Sequence, residues 1–510
     1  MGVTEADGPR LEDGVGLPAG PSHIATLAKH TIVYGLSGVL LQAVGIVTLP
    51  IFARAFTQAE YGKLELGLAL SSVALTVVDL GFASAAQRSF YDYSDSDVEE
   101  RRRVLFTAIV VTSTAAVVAA IAIAALRGEL DDWLFGGSNA ERLILAIAVS
   151  IPVVNGATFF RETMRLRFRQ WSYVAAAVMA AIVSAVVSII LVVGFDAGVE
   201  AIFVGAIFGN ALGVLYGLYV TRHDIGRRFS RPELKVMLAY GLPLVPAALA
   251  MWALALIDRV MLSDLSNLAE VGQYAVANRV ASLVMLVVTA FALAFGPYIF
   301  SIYSEDPEME KLVRAKALTY FAVVLLLVSV LLTLYAREAL ELVAPGFDRA
   351  YKAVGPLTFG IAAFGISSVV TAGISFARRT HWLPLIAGAA AAVNIGLNFA
   401  LIPQFGMVGA ALAAAAGYAV LALIQHVVAQ RVYPTVYETG KLARLLVLAI
   451  AAGSVGLVTI EPVWLSLVVK TAVLLAFVVS IRVAHVVDED DLTYARRLVA
   501  ARFRRDAAAP

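Results

Sequence analysis

Apolar residues in this chain neither alternate with polar ones nor recur as a narrow helical stripe; they run in long unbroken blocks. The blocks fall at about 29–53, 62–86, 103–126, 141–160, 171–194, 197–221, 236–257, 272–299, 314–336, 353–377, 382–402, 406–429, 442–460 and 462–485, fourteen in all. Each is near the roughly 20 residues that a helix needs to cross the hydrocarbon of a bilayer. A helix satisfies its backbone polar groups within itself, which lipid demands of any spanning segment. The pattern predicts an all-α integral membrane protein of about 14 transmembrane helices. Phe195–Asp196 and Gln404–Phe405 mark tight turns, and Glu461–Pro462 divides the last apolar stretch. Spans joined so closely are antiparallel neighbours.

Composition agrees. Of 510 residues, 60% are hydrophobic and 15% charged, and mean hydropathy is +0.83. A soluble domain carries about 25% charged residues. A net charge of +1 gives no electrostatic case for nucleic acid. The absence of cysteine excludes disulfides, thiolate catalysis and cysteine-based metal sites. No His or carboxylate cluster has metal-ligand spacing, so neither metal nor cofactor is expected. Residues 1–26 are polar and hold no apolar signal region, so the first span is expected to act as its own insertion signal.

Charge sets the expected orientation. Lys and Arg concentrate on the even-numbered loops and the tails, as in Arg101–Arg103, Arg161–Arg169, Arg222–Lys235 and Arg496–Arg505. The odd-numbered loops hold Arg54, Lys63, Arg127, Arg142, Arg259, Arg337, Arg349 and Lys352; Arg279 and Lys470 lie inside spans. The positive-inside rule then places both termini in the cytoplasm, and an even span count agrees. The tail Asp491–Arg505 puts Leu492, Ala495, Leu498, Val499 and Phe503 on one helical face and most arginines on the other. It reads either as a basic amphipathic helix on an anionic leaflet or as a solvated helix end.

The chain also repeats itself. Tyr34-Gly35-Leu36 recurs as Tyr240-Gly241-Leu242, and Ala59-Glu60-Tyr61-Gly62-Lys63 as Ala269-Glu270-Val271-Gly272-Gln273, at matching places in two six-span units. Six is even, so the units are parallel repeats that can rock about a central site. The expected organisation is a cytoplasmic tail (1–26), an N-terminal lobe (27–221), a linker (222–235), a C-terminal lobe (236–429), a linker with helices 13–14 (430–485) and a basic cytoplasmic tail (486–510). Gly35, Gly38 and Pro50 in span one, and Gly241, Pro243 and Pro246 in span seven, are expected helix breaks. Such breaks either line the site or reflect the general frequency of Gly and Pro in membrane helices.

Further motifs carry a family likeness. Within Pro384–Tyr418 stand Asn394-Ile395-Gly396-Leu397-Asn398, then Ile402-Pro403, then Gly406 and Gly409-Ala410-Ala411. With them go Glu60-Tyr61-Gly62, Asp79-Leu80-Gly81, Asp258-Arg259, Val271-Gly272-Gln273-Tyr274 and Gly296-Pro297-Tyr298. Through these the sequence resembles, over about 27–485, the polysaccharide-transporter (O-antigen flippase) branch of the multidrug/oligosaccharidyl-lipid/polysaccharide flippase superfamily. The resemblance implies two six-helix lobes around a central cavity, plus two extra helices. It also implies outward movement of an undecaprenyl-diphosphate-linked oligosaccharide across a bacterial inner membrane. Expected partners are the lipid-linked glycan, membrane lipids, a polysaccharide polymerase and glycosyltransferases.

Charges inside spans mark candidate sites. A diphosphate suits arginine, whose planar fork binds phosphate oxygens in pairs. Arg279 is the leading substrate-binding candidate, with an ion pair to Glu65 or Asp258 as its alternative. Arg259 and Lys470 follow, with snorkelling to the interface as theirs. Glu65 is the candidate coupling carboxylate. Asp79 and Arg88 are expected to set the inner end of span two. Asn394 and Asn398, one turn apart, are expected to hydrogen-bond a neighbouring helix. The competing functions are a cation-coupled drug or organic-cation antiporter of the same superfamily, a membrane enzyme, which the short outer loops disfavour, and a transport-dead scaffold.

Overall fold

The computed structural model describes residues 38, 40–45, 47–94 and 96–483. The tails, the Tyr34–Leu36 motif and Gly35 lie outside the described residues. Among the described residues, thirteen helices are long and apolar enough to cross a membrane, and the first block is represented by the apolar helix α1 (Leu40–Ala55). The protein is an all-helical, multi-pass membrane protein.

The first-half helices are α2 (Gln58–Asp79), α3 (Phe82–Tyr91), α4 (Val98–Ala125), α5 (Arg127–Phe135), α6 (Glu141–Leu166), α7 (Gln170–Ile189) and α8 (Glu200–Thr221). The second half holds α9 (Arg231–Gly241), α10 (Val245–Leu265), α11 (Leu268–Ala281), α12 (Leu283–Glu305), α13 (Pro307–Val343), α14 (Tyr351–Phe376), α15 (Trp382–Phe405) and α16 (Met407–Val432). Then come α17 (Thr439–Ser454) and α18 (Val463–Val483). Within the first half, α6 packs on α4 and α8, and α7 on α8; within the second, α14 and α15 pack on α16, and α10 on α15. The halves meet where α2 packs on α10 and α11, and where α3 packs on α9.

Local chemistry explains the helix starts. Thr57 and Glu60 form a reciprocal capping box: the Glu60 backbone donates to Thr57 Oγ1, and the Thr57 backbone to Glu60 Oε2 at 2.8 Å. Asn267 caps α11, and Asp306 followed by Pro307 opens α13. Each such cap is worth about 1 kcal/mol.

Two spans are interrupted. Leu80 and Gly81 adopt left-handed conformations between α2 and α3, and a tight turn, Leu242–Leu244, separates α9 from α10. Pro243 lies in that turn and Pro246 in the first turn of α10, where a missing N–H costs no helical bond. Pro50 departs from expectation: α1 runs through it without interruption. A proline deletes a single i→i−4 bond, and the flanking bonds carry the helix past it.

The linker before α17 and the helix α18 are each fastened to α13 by buried polar contacts. Arg314, fully buried, donates to Glu310 Oε1 at 2.6 Å, to Thr435 Oγ1 at 2.6 Å and to the Tyr437 hydroxyl, binding the α16–α17 linker to α13. Lys470 of α18, also fully buried, meets Glu338 of α13 at 2.6 Å, and Ser466 donates to the same oxygen. Breaking a buried pair from one side strands a charge and costs about 3–5 kcal/mol. Lys470→Met is therefore expected to lower the melting temperature of the purified protein sharply. Lys470→Met combined with Glu338→Met should recover most of the loss, as read by thermal unfolding in detergent.

Candidate functional site in the cleft between the halves

The polar centre of the molecule lies where α2 faces α10 and α11. Glu65 sits on α2, one turn beyond Tyr61. Its two oxygens face two arginines of the other half: Oε2 accepts from Arg259 Nε at 3.3 Å and Oε1 from Arg279 Nη2 at 3.3 Å. Two guanidinium charges on one carboxylate leave one positive charge in excess. The side chains of Glu65 and Arg259 are 8% and 4% exposed, whereas that of Arg279 is 39% exposed. Arg279 is thus the cation of the group that reaches open space.

Arg259 is held on its other sides. Its Nη1 donates to the Ala255 carbonyl at 2.8 Å, and its guanidinium lies 5.4 Å from the Tyr274 ring centroid. Tyr274 turns its hydroxyl to Asp258 Oδ2 at 2.7 Å, and Asn398 Nδ2 donates to Asp258 Oδ1 at 3.0 Å and to Asn394 Oδ1 at 3.3 Å. The asparagines therefore bond to each other, as their one-turn spacing allows, and Asn398 bonds across to α10. Asp258, next to Arg259 in sequence, directs its hydrogen bonds to Tyr274 and Asn398 and leaves Glu65 as the carboxylate that bonds both arginines.

One cavity adjoins this cluster and a second lies farther along α2. One, about 240 Å³, is lined by Gln42, Asp258, Arg259, Tyr274, Asn278 and Ser282 among others. The other, about 530 Å³, lies between α2–α3 and α10, and presents Ser71, Ser72, Thr76, Asp79 and Ser84 opposite Leu244, Val245 and Ala248. The α2–α3 wall thus mixes hydroxyls with Leu68 and Leu75, and the facing wall is aliphatic. Gln42 of α1 donates to the Ser282 carbonyl at 2.7 Å, tying α1 to the α11–α12 junction.

The halves touch at both ends of the cleft. At one end Gly62 and Gly272, counterparts in the repeated motif, pack backbone to backbone. A Cβ on Gly272 would overlap the Gln58 carbonyl, and one on Gly62 the Leu268 carbonyl. At the other end Gly81 meets Gly241 in the same way, so the two helix interruptions pack on each other. Arg88 lies 4.8 Å from the Tyr240 ring centroid, and Tyr93 donates to Glu233 Oε1 at 2.6 Å. That carboxylate holds the Tyr93 hydroxyl proton and pushes its pKa up to about 12, so Tyr93 stays a donor at neutral pH. Asp79 ends α2 and accepts from the Ala83 backbone at 3.1 Å, capping α3.

The structure brings Arg279, Arg259 and Glu65 together. It does not bring Lys470 to them: α18 packs on α13 and α17, and the Lys470 charge is matched by Glu338. Sequence reasoning assigned no role to Tyr274, Gln42 or Asn278. Their signal was polarity inside an apolar block, weaker than a formal charge.

The family described as "Polysaccharide biosynthesis protein" matches residues 27–303. The fold is similar to that of a solved lipid II flippase MurJ in an inward closed conformation, with a TM-score of 0.68 and 15% identity over 88% of this chain and 98% of that one. It is also similar to a point mutant of the Vibrio cholerae MATE transporter VcmN, with a TM-score of 0.57 and 13% identity over 80% and 98% of the two chains. An inward-facing multidrug resistance MATE family transporter of the MOP superfamily gives 0.55 and 16% over 81% and 95%. No curated protein matches the sequence. The chain belongs to the polysaccharide biosynthesis protein family and has the fold shared by MurJ and the MATE transporters.

Proposed function

We propose that the protein is a flippase that carries an undecaprenyl-diphosphate-linked oligosaccharide from the inner to the outer leaflet of a bacterial cytoplasmic membrane by alternating access. The carrying observation is the partly exposed guanidinium of Arg279, 39% exposed, beside the buried Glu65 and Arg259 where the halves meet. In this reading the diphosphate meets Arg279 and competes with Glu65 for its guanidinium. The hydroxyls of Ser71, Ser72, Thr76 and Ser84 offer hydrogen-bond partners to sugar, while the lipid tail stays in the bilayer. Both termini are cytoplasmic, so the Gly62–Gly272 contact closes the outer end and the Gly81–Gly241 contact the inner end. The two parallel lobes rock about the cleft between them.

Organic-cation antiport is the second reading, and Glu65 and Asp258 are the buried carboxylates that favour it. Both already accept from Arg259, Arg279, Tyr274 or Asn398, which leaves Arg279 as the most exposed charge of the cluster. Arg279→Ala is expected to keep membrane abundance but lose about 100-fold in flipping rate, the value of one charge-assisted phosphate contact of about 3 kcal/mol. Arg279→Lys keeps the charge without the fork and should retain part of the activity. Undiminished flipping by Arg279→Ala, measured with labelled lipid-linked oligosaccharide in proteoliposomes, would remove the residue from the site.

A further inference from the structure

A second basic cavity lies away from the cleft, at the end of the first half where α3, α4, the α6–α7 turn and the end of α8 converge. It measures about 260 Å³ and is lined by Arg101, Arg102, Arg167, Arg169, His223 and Asp224, with Phe90 and Val98. Four arginines from two separate segments face one cavity, and among the described residues Asp224 is its single lining carboxylate.

The arginines are fixed in place. Asp224, whose side chain is 5% exposed, forms the floor: Arg167 Nε approaches it at 3.0 Å and Arg169 Nη1 at 2.7 Å. Arg169 also donates to the Val220 carbonyl at 2.6 Å, and Arg102 Nε to the His223 carbonyl at 2.8 Å, so both hold the end of α8. Arg102 pairs with Glu99 at 2.7 Å. Arg101 donates to the Tyr93 carbonyl at 2.6 Å and stacks 4.8 Å over Phe90. Glu99 thus pairs with Arg102, and Asp224 with both Arg167 and Arg169. The side chains of Arg167 and Arg169 are still 39% and 35% exposed. Their guanidinium planes are held in place before any ligand arrives, which lowers the entropy lost on binding.

The rim places the cavity at a definite depth. Phe168, Trp171 and Tyr219 stand exposed beside it. Exposed aromatic rings at the ends of membrane helices mark the level of lipid headgroups. A fixed, arginine-lined pocket at that level matches a phosphate carried by a lipid, because guanidinium pairs phosphate oxygens two at a time.

We propose that this cavity is a binding site for the phosphate group of a membrane lipid, on the leaflet at which the Arg101–Arg103 loop emerges. Two lipids supply that chemistry: an anionic phospholipid and the diphosphate of an isoprenoid-linked glycan. The proposal uses the membrane placement of the reading above but not its cargo, and its test does not measure transport. Full-length protein in detergent is titrated with phosphatidylglycerol, undecaprenyl diphosphate or phosphatidylcholine, and bound lipid is counted by native mass spectrometry. Arg102→Gln with Arg167→Gln leaves Arg169 on Asp224, so the floor stays paired. This double variant is expected to lose about tenfold in affinity for a phosphate lipid, near 1.4 kcal/mol, with phosphatidylcholine unaffected. Arg102→Lys with Arg167→Lys keeps the charge and should fall between. Loss confined to phosphatidylglycerol assigns the site to bulk lipid; loss confined to undecaprenyl diphosphate assigns it to the cargo lipid. Equal binding by parent and both variants, or an equal loss for all three lipids, overturns the proposal.

Discussion

Gly272→Leu is expected to abolish transport while leaving the protein in the membrane. Gly272 of α11 packs on the α2 backbone at Gln58 and Gly62, with no space for even a Cβ. A leucine there forces α2 and α11 apart, at an overpacking cost of about 3 kcal/mol. The penalty falls on states in which this end of the cleft is shut and vanishes once it opens. A differential of that size shifts the balance between shut and open ends by about 100-fold. The chain has no cysteine, so Ser72→Cys, on the cleft wall, supplies a single thiol. Its labelling by a membrane-impermeant maleimide from the Gly62–Gly272 side should accelerate at least about tenfold in the Gly272→Leu background. Gly388→Leu is the matched control, because a Cβ at Gly388 meets open space. Unchanged labelling alongside normal transport would show that α2 and α11 need not close on each other.

The second large effect is expected at Glu65. Glu65→Gln removes the carboxylate shared by Arg259 and Arg279, and Arg259, 4% exposed, cannot recover its loss from water. Stranding a buried charge in this way costs about 3–5 kcal/mol, enough to lower the yield of folded protein severely. Two rescues follow. Arg259→Met in the same chain removes the stranded cation and should restore most of the stability. An added diphosphate should stabilise Glu65→Gln more than the parent, because it supplies the anion that the glutamine lacks. Thermal unfolding with and without inorganic diphosphate reads both effects. A variant as stable as the parent and indifferent to diphosphate would mean that the arginines do not depend on an anion.

The spans were legible because a bilayer imposes one length and one composition on every crossing helix. The blocks at 353–377 and 382–402 reappear as Tyr351–Phe376 and Trp382–Phe405. The partners of the charges were not legible. Glu65 lies 194 positions from Arg259 and 214 from Arg279, and hydropathy says nothing about which spans are neighbours. Depth alone therefore made Lys470 and Arg279 look alike, yet one meets Glu338 on α13 and the other meets Glu65 on α2. Glu338 lies beyond the 314–336 block because α13, at 37 residues, outruns its apolar stretch. A carboxylate near a span end is ordinarily solvated, so nothing in the sequence marked it as buried. The same holds for Arg314 at the other end of that block. The Gly62–Gly272 contact left a faint trace, since both glycines stand in the repeated motif, but their contact with each other emerges only in three dimensions.

The most direct test of the central claim is leaflet accessibility of a labelled undecaprenyl-diphosphate oligosaccharide in proteoliposomes, with and without this protein. Protein-dependent exposure of the glycan on the far leaflet, abolished by Arg279→Ala, is the expected result. No exposure by folded protein across several glycans would contradict it.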